Sequence, residues 1–358
     1  MIVKSLKMKN FRNYDFLNIE LEPNTNIFYG DNAQGKTNIL EAVYLSGTTK
    51  SHRGTKDRDL IKFDQEESHI EVEIEKKGVP FQIDIHLKKN SPKGIAINKI
   101  PIKRASELFG ILNIVFFSPE DLNIIKNGPA ERRRFIDLEL AQLDKVYLSD
   151  LSNYNRIVNH RNKLLKDMQS QRELEETLDI WDLQLAKYGN LVMKRRNIFI
   201  NQINHMIGEI HSKLTGGRET IKLLYEPIVK QDGLEAALKK NRDRDIKTKS
   251  TTVGPHRDDI CFLCGDLDIR KFGSQGQQRT AALSLKLSEI ELVKQEVGDT
   301  PILLLDDVLS ELDKHRQNYL LDSISDIQTL ITCTGLDDFV SNRFHMNKIF
   351  HVEHGTVN

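Results

Sequence analysis

Eight consecutive residues, Gly30-Asp31-Asn32-Ala33-Gln34-Gly35-Lys36-Thr37, carry the spacing G-x-x-x-x-G-K-[ST]. These residue types suit phosphate chemistry. Glycines let backbone N–H groups curl around an anion, and a helix opening near Gly35 turns its positive end toward it. In such a loop Lys36 reaches the β- and γ-phosphates, Thr37 offers a hydroxyl to Mg²⁺, and Asn38 continues the nucleotide-facing stretch. The plain alternative is a glycine turn with a surface lysine. A strand before the loop and a helix after it weigh against that.

Far downstream, Pro301-Ile302-Leu303-Leu304-Leu305-Asp306-Asp307 reads as a buried parallel strand ending in two carboxylates. The carboxyl edge of such a sheet is where ligands bind. Asp306 is placed to hold Mg²⁺ and Asp307 to polarise an attacking water, against the alternative of an acidic turn. A third segment, Phe272-Gly273-Ser274-Gln275-Gly276-Gln277-Gln278-Arg279-Thr280, precedes a strong helix at residues 281–293. Ser274, Gly276 and Gln277 at a helix start offer a hydroxyl, free amides and a helix dipole to a second anion. One chain rarely needs two γ-phosphate sites, so the economical reading has this segment complete the phosphate loop of another copy. A capped helix after a turn is the alternative.

The chain of 358 residues, 39% hydrophobic and 29% charged, has room for two domains with a packed core to position these groups. Apolar alternation predicts strands at residues 2–8 and 14–21, and a short buried strand at 25–29 runs into the loop. Helical spacing follows at 38–46. Residues 69–88 predict a hairpin about Lys77-Gly78, and residues 111–117 and 330–334 further buried strands. After Gly128-Pro129 the character changes. Residues 130–212 lack proline and carry Leu138, Leu143, Tyr147, Leu151, Tyr154 and Ile157 at three-to-four spacing. Thr215-Gly216-Gly217 ends this helical stretch, and residues 241–250 read as an exposed connection. The expected architecture is an α/β head, a mixed sheet with antiparallel strands, assembled from residues 1–128 and 250–358. A helical arm is inserted at 129–249.

Lys+Arg and Asp+Glu both number 52, so the formal net charge is zero. That argues against a uniformly basic nucleic-acid coat and leaves local patches open. The candidates are Arg132 and Arg133 in the run to Arg134, Arg161 with Lys163, and Arg195 and Arg196 after Lys194. Each either meets DNA phosphates or serves as a solvated face or carboxylate partner. His256-Arg257-Asp258-Asp259 is either an acid–base or metal cluster or an ion-pair corner. Arg12 and Arg53 are candidates to touch nucleotide. Cys261 and Cys264 have C-x-x-C spacing, but no second pair completes a zinc set, and strand cysteines are expected. Three cysteines build no disulfide framework, and no apolar run is long enough for a signal peptide or a membrane span. A soluble cytoplasmic protein is expected.

In their order these parts resemble the ABC-type ATPase heads of the structural-maintenance-of-chromosomes group, and within it the RecF family of DNA replication and repair proteins. The resemblance is carried by Asn10-Phe11-Arg12-Asn13-Tyr14, the phosphate loop, Gly128-Pro129 with Arg132-Arg133-Arg134-Phe135, and residues 254–259, 274–280 and 305–313. It implies a weak ATPase that uses ATP and Mg²⁺, dimerises with ATP between its heads, and clamps double-stranded and gapped DNA. It also implies work with RecR and RecO in loading RecA, and a role for Ser310-Glu311-Leu312-Asp313 in joining two heads. The sequence departs from the wider ABC pattern at three places. Asp307 stands where glutamate is common, no histidine follows residues 330–334, and no glutamine lies in Phe117-Ser118-Pro119-Glu120-Asp121. Asp307 is one methylene shorter than glutamate and reaches a water less well, so slow turnover is expected. A transporter ATPase subunit shares the three motifs but does not need the long arm. A chromosome tether would need far more heptads, and a P-loop kinase leaves residues 272–280 unexplained.

Overall fold

The computed structural model describes residues 1–167, 177–230, 232–335 and 346–358. They divide into two compact units, Met1–Asp121 with Lys286–Asn358, and Leu122–Leu285.

The first unit opens with β1 (Ile2–Phe11), β2 (Tyr14–Glu20), β3 (Thr25–Tyr29) and α1 (Lys36–Thr48). It continues with β4 (Glu67–Lys76), β5 (Val79–Lys88), β6 (Ser91–Ile97), β7 (Ile100–Pro101) and β8 (Ile114–Phe117). Six of these strands form an antiparallel sheet in the order β2-β1-β4-β5-β6-β7. In β4, Ile70, Val72 and Ile74 are buried while Glu71 and Glu73 between them face outward, the alternation of a sheet with one wet face. The hairpin about Lys77-Gly78 forms as expected, with Lys76 opposite Val79.

The second unit contains α2 (Leu122–Lys126), α3 (Pro129–Leu143), α4 (Lys145–Asp167) and α5 (Leu178–Thr215). Pro129 opens α3, where a missing N–H costs nothing. Gly216 and Gly217, both in the left-handed region, close α5, and the Gly217 N–H bonds the Ser212 carbonyl at 2.8 Å. Then come β9 (Ile221–Glu226), α6 (Leu234–Lys240), α7 (Arg242–Thr248), β10 (Asp259–Cys264), β11 (Leu267–Asp268) and α8 (Ile269–Phe272). The helix α9 (Gln275–Val297) begins here and ends in the first unit.

Two expectations change in this unit. The border expected at residue 250 falls at Leu285 instead, because β10 pairs with β9, Cys264 opposite Ile221, so a cut at 250 would split a sheet. Residues 241–250 are not an exposed connection. They hold α7, whose Asp245 is fully buried among its ion-pair and hydrogen-bond partners. A run of polar residues conceals one inward carboxylate.

Back in the first unit are β12 (Ile302–Asp306), α10 (Lys314–Ser323), β13 (Thr329–Cys333), β14 (Met346–Glu353) and β15 (Thr356–Val357). They complete a second sheet in the order β15-β14-β3-β13-β12-β8, in which β14, β3, β13, β12 and β8 run parallel. Helix α1 touches strands of both sheets, and Ile39, Leu40, Ala42, Val43 and Leu45 are all fully buried. A helix covered all round loses its amphipathic stripe. At Gly47 an added Cβ would sit 2.6 Å from Ile114 Cδ1 and 2.9 Å from the Leu112 carbonyl, so helix and strand approach as only glycine allows. Because the central strands are parallel, Tyr29, Asp306 and Cys333 end at one edge of the sheet.

Candidate nucleotide site and signature segment

At that edge the chain passes from β3 into α1 through the phosphate loop. Gly30, Ala33 and Gly35 have φ of 149°, 66° and 115°, and a Cβ on Gly30 would lie 2.3 Å from the Val352 carbonyl. The loop is braced from outside. Asn13 Nδ2 donates to the Gln34 carbonyl at 2.8 Å, Asn13 Oδ1 accepts from Asn38 at 2.8 Å, and the Tyr14 hydroxyl donates to the Gly35 carbonyl at 3.2 Å. From the other side the His354 N–H donates to Gln34 Oε1 at 2.7 Å. Asn13 was legible only as part of a resembling motif, and the structure gives it a mechanical task.

Lys36, 4% exposed, folds back over the loop and donates to the carbonyls of Gly30 at 2.6 Å and Asp31 at 2.9 Å. Thr37 Oγ1 donates to Asp306 Oδ1 at 2.7 Å, which joins the loop to the acidic strand. Thr332, at the end of β13, donates to the same oxygen at 2.8 Å and accepts from the Asp307 N–H at 3.0 Å. The hydroxyls where a histidine was missing therefore hold both aspartates. Asp307 is left-handed, φ 51°, a strained backbone for a residue with a Cβ. Burial, then the neighbouring Asp306 carboxylate, raise its carboxyl above the ordinary range. Asp307 lines one cleft with residues 32–38 and Arg53.

The two arginines separate. Arg53 faces this cleft and donates to Asn38 Oδ1 at 3.3 Å. Arg12 instead forks onto buried Glu41, with Nε and Nη2 at 2.8 Å from its two oxygens. Burial alone would raise the Glu41 carboxyl, but the bonds from Arg12 and Ser51 outweigh it and hold it below its usual value. Arg12 thus anchors α1 beneath the loop. Downstream, Asp313 caps α10 by accepting from the Arg316 N–H at 3.0 Å.

In the second unit Ser274 and Gly276 are exposed at the start of α9, and Phe272 beside them is 70% exposed. Ser274 Oγ accepts from the Gln277 N–H at 3.2 Å, and Gln277 Oε1 accepts from the Ser274 N–H at 2.9 Å, a reciprocal cap.

Three of the six arginine and lysine candidates for DNA are committed elsewhere. Arg132, 4% exposed, forks onto Asp259 at 2.6 and 3.1 Å and caps the carbonyl end of α2. Arg161 is fully buried, with Nε on Asp182 at 2.7 Å and Nη1 on Asp245 at 2.6 Å. Arg196, 2% exposed, meets Asp137 at 2.7 Å and the Pro255 carbonyl at 2.7 Å. A phosphate oxygen reaches none of them unless these pairs break. Arg133 is half-buried on the Asp258 carbonyl, Arg195 pairs with Asp144, and Lys163 is exposed.

Residues 256–259 form the ion-pair and hydrogen-bond corner. The Tyr154 hydroxyl bonds His256 Nδ1 at 2.6 Å, His256 Nε2 bonds the Thr251 carbonyl at 3.0 Å, and Asp258 accepts from the Ile228 N–H at 2.9 Å. Burial pushes His256 down to about 4 from its ordinary 6.5. The unfolded chain therefore binds a proton between these values that the folded chain refuses. Stability is fully present above pH 6.5 and is lost as pH falls toward 4, by about 2–3 kcal/mol. Unfolding curves at pH 7 and pH 5 should show this loss in the wild type and a smaller one in His256→Gln.

The family model described as RecF/RecN/SMC N terminal domain matches residues 2–358. A DNA replication and repair protein RecF of Agathobacter rectalis is 63% identical over 357 residues, covering 100% of this chain and 99% of that protein. The chain belongs to the RecF family. A RecF of Clostridium botulinum is 48% identical over 343 residues, covering 94% of each chain. A solved structure of "the recombination mediator protein RecF-ATP in RecFOR pathway" superposes with a TM-score of 0.94 at 36% identity, covering 99% of this chain and 96% of that one. The Smc head domain of Pyrococcus furiosus, bound to the C-terminal domain of ScpA, matches with a TM-score of 0.57 at 17% identity, covering 99% and 95%. That likeness is one of fold. The RecF family and the ABC-type α/β head expected from the order of the motifs are both met. Among the described residues, no helix is long and apolar enough to cross a membrane.

Proposed function

We propose that this chain is an ATP-dependent recombination mediator whose two copies close on DNA when ATP lies between them. The observation that carries the reading is the convergence of Lys36, Thr37 and Asp306 at one sheet edge. The signature segment, residues 272–280, meanwhile stands with Ser274 and Gly276 exposed in the other unit. The 36%-identical relative described as RecF-ATP supports ATP as the nucleotide.

Thr37 Oγ1 and Asp306 Oδ1, 2.7 Å apart, are hard oxygen donors of the kind Mg²⁺ takes, so the residues fit that ion. The chemistry Mg²⁺ supplies when bound is neutralisation of charge on the β- and γ-phosphate oxygens. Residues 30–38 bind the phosphates through backbone N–H groups and the Lys36 ammonium. Asp307, raised above the usual carboxylate range, accepts the proton of the attacking water. Being one methylene shorter than glutamate, it does so at a longer reach, and turnover is slow. Ser274, Gly276 and Gln277 serve the γ-phosphate held by the partner copy, and the exposed Phe272 is covered on closure. Lys163, Arg133 and Arg195 remain as contacts for double-stranded and gapped DNA. RecO and RecR are the partners, RecA is the protein loaded, and the cytoplasm is the place of action.

The test is fluorescence anisotropy on a gapped duplex with and without Mg-ATP, comparing wild type with Ser274→Arg. ATP should strengthen binding in the wild type alone, while both proteins bind ATP equally. DNA binding indifferent to ATP and to the substitution would sink the clamp. In the same assay Asp307→Asn should hold DNA longer, with hydrolysis down about 100-fold and ATP affinity within twofold of wild type. Phosphate release reads the first quantity and nucleotide titration the second.

A further inference from the structure

We infer that His211, Glu219 and Cys264 form a binding site for a borderline-soft divalent cation of the Zn²⁺ class. Three elements of the second unit bring them together. His211 lies in the last turn of α5, Glu219 follows the Gly216-Gly217 turn, and Cys264 ends β10 opposite Ile221. Their ligand atoms all lie within 4.8 Å of one another. His211 is 1% exposed, and its Nδ1 hydrogen-bonds Ser284 Oγ at 2.9 Å, which directs Nε2 to the Glu219 carboxylate 3.5 Å away. A tetrahedral site with Zn–N near 2.0 Å and Zn–O near 2.1 Å separates those two ligands by about 3.4 Å. That edge is already set, and side-chain rotation brings the thiol in.

The second shell is in place as well. Ser284 fixes the ring, and Glu219 Oε1 accepts from Gln277 Nε2 at 3.0 Å. Such outer partners orient metal ligands and raise their affinity. Cys264 and Glu219 are half-buried, which leaves an entry path and a fourth position for water. One imidazole, one carboxylate and one thiolate with an open position make a zinc-type donor set. A thiol ligates as its thiolate, so metal binding releases a proton. Gln277 belongs to the signature segment, and the site therefore reads into that loop. The inference stands without the clamp, because metal binding is measured without nucleotide.

Chelator-stripped full-length protein titrated with Co²⁺ tests it. One Co²⁺ per chain should give a near-ultraviolet thiolate-to-metal band that Zn²⁺ abolishes. Cys264→Ser should remove the band, and Cys261→Ser and Cys333→Ser should keep it. Glu219→Gln and Gln277→Leu should each weaken binding about tenfold or more. No thiolate band, or one that survives Cys264→Ser, overturns the site. Should Cys264→Ser fail to fold by circular dichroism, an affinity unchanged in Glu219→Gln overturns it equally.

Discussion

Lys36→Ala is expected to weaken ATP binding about 100-fold or more and to abolish ATP-dependent DNA binding. Lys36 is 4% exposed and its ammonium is held by two loop carbonyls, so it is fixed before nucleotide arrives and loses little entropy on binding. An ammonium has three donors, and the one that the two carbonyls leave makes a charge-assisted bond to a phosphate oxygen worth about 1.5–3 kcal/mol, the upper end of which gives the factor. Alanine also strips a donor from the Gly30 and Asp31 carbonyls, and the loop should loosen. Titration with a fluorescent ATP analogue measures the loss. An affinity within fivefold of wild type would show that the backbone cradle alone binds ATP. Lys36→Arg should not rescue, since a planar fork cannot occupy the space of a compact ammonium under the loop.

Arg161→Met should destabilise the second unit by about 4 kcal/mol. Asp182 and Asp245 are both fully buried, and losing Arg161 strands them in a medium that punishes unpaired charge. Arg242 still meets Asp182 at 2.7 Å, and Thr252 still donates to Asp245 from its N–H and hydroxyl, so the carboxylates keep some compensation. The chain has one tryptophan. It is Trp181, on α5, stacked against His160 with ring centroids 5.4 Å apart. Its fluorescence therefore follows this unit alone, and its urea midpoint should fall sharply in the variant. A shift worth less than about 1 kcal/mol would mean that the buried pairs relax or hydrate when Arg161 is gone. Replacing all three charges with apolar residues should restore most of the loss, because only the unpaired state is costly.

These two experiments probe residues of opposite legibility. Lys36 was readable because its task is local. A glycine pattern, a preceding strand and a following helix lie within about twenty residues, and their geometry depends on neighbours along the chain. The same holds for the hairpin about Lys77-Gly78, the Gly216-Gly217 helix stop and the β12 strand with its two aspartates. In each, backbone conformation and alternation are properties of a short window.

Arg161 stayed open between a DNA contact and a carboxylate partner because its partners are not near it in sequence. A basic residue in an amphipathic helix looks the same whether it faces water, a DNA phosphate or a buried carboxylate. Asp182 and Asp245 reach it from α5 and α7, and Asp259 reaches Arg132 from β10. The same gap hid Thr332 behind a missing histidine, and it hid His211 and Glu219 behind a C-x-x-C that lacked a second pair. By itself, the sequence determined the phosphate loop, the acidic strand, the capped signature helix and the family, since those are written in short windows and in their order. Tertiary structure alone decided which charges are spent on one another and which remain for a ligand. Pairing energy depends on distance and burial, and both are set only when segments far apart in the chain are packed together.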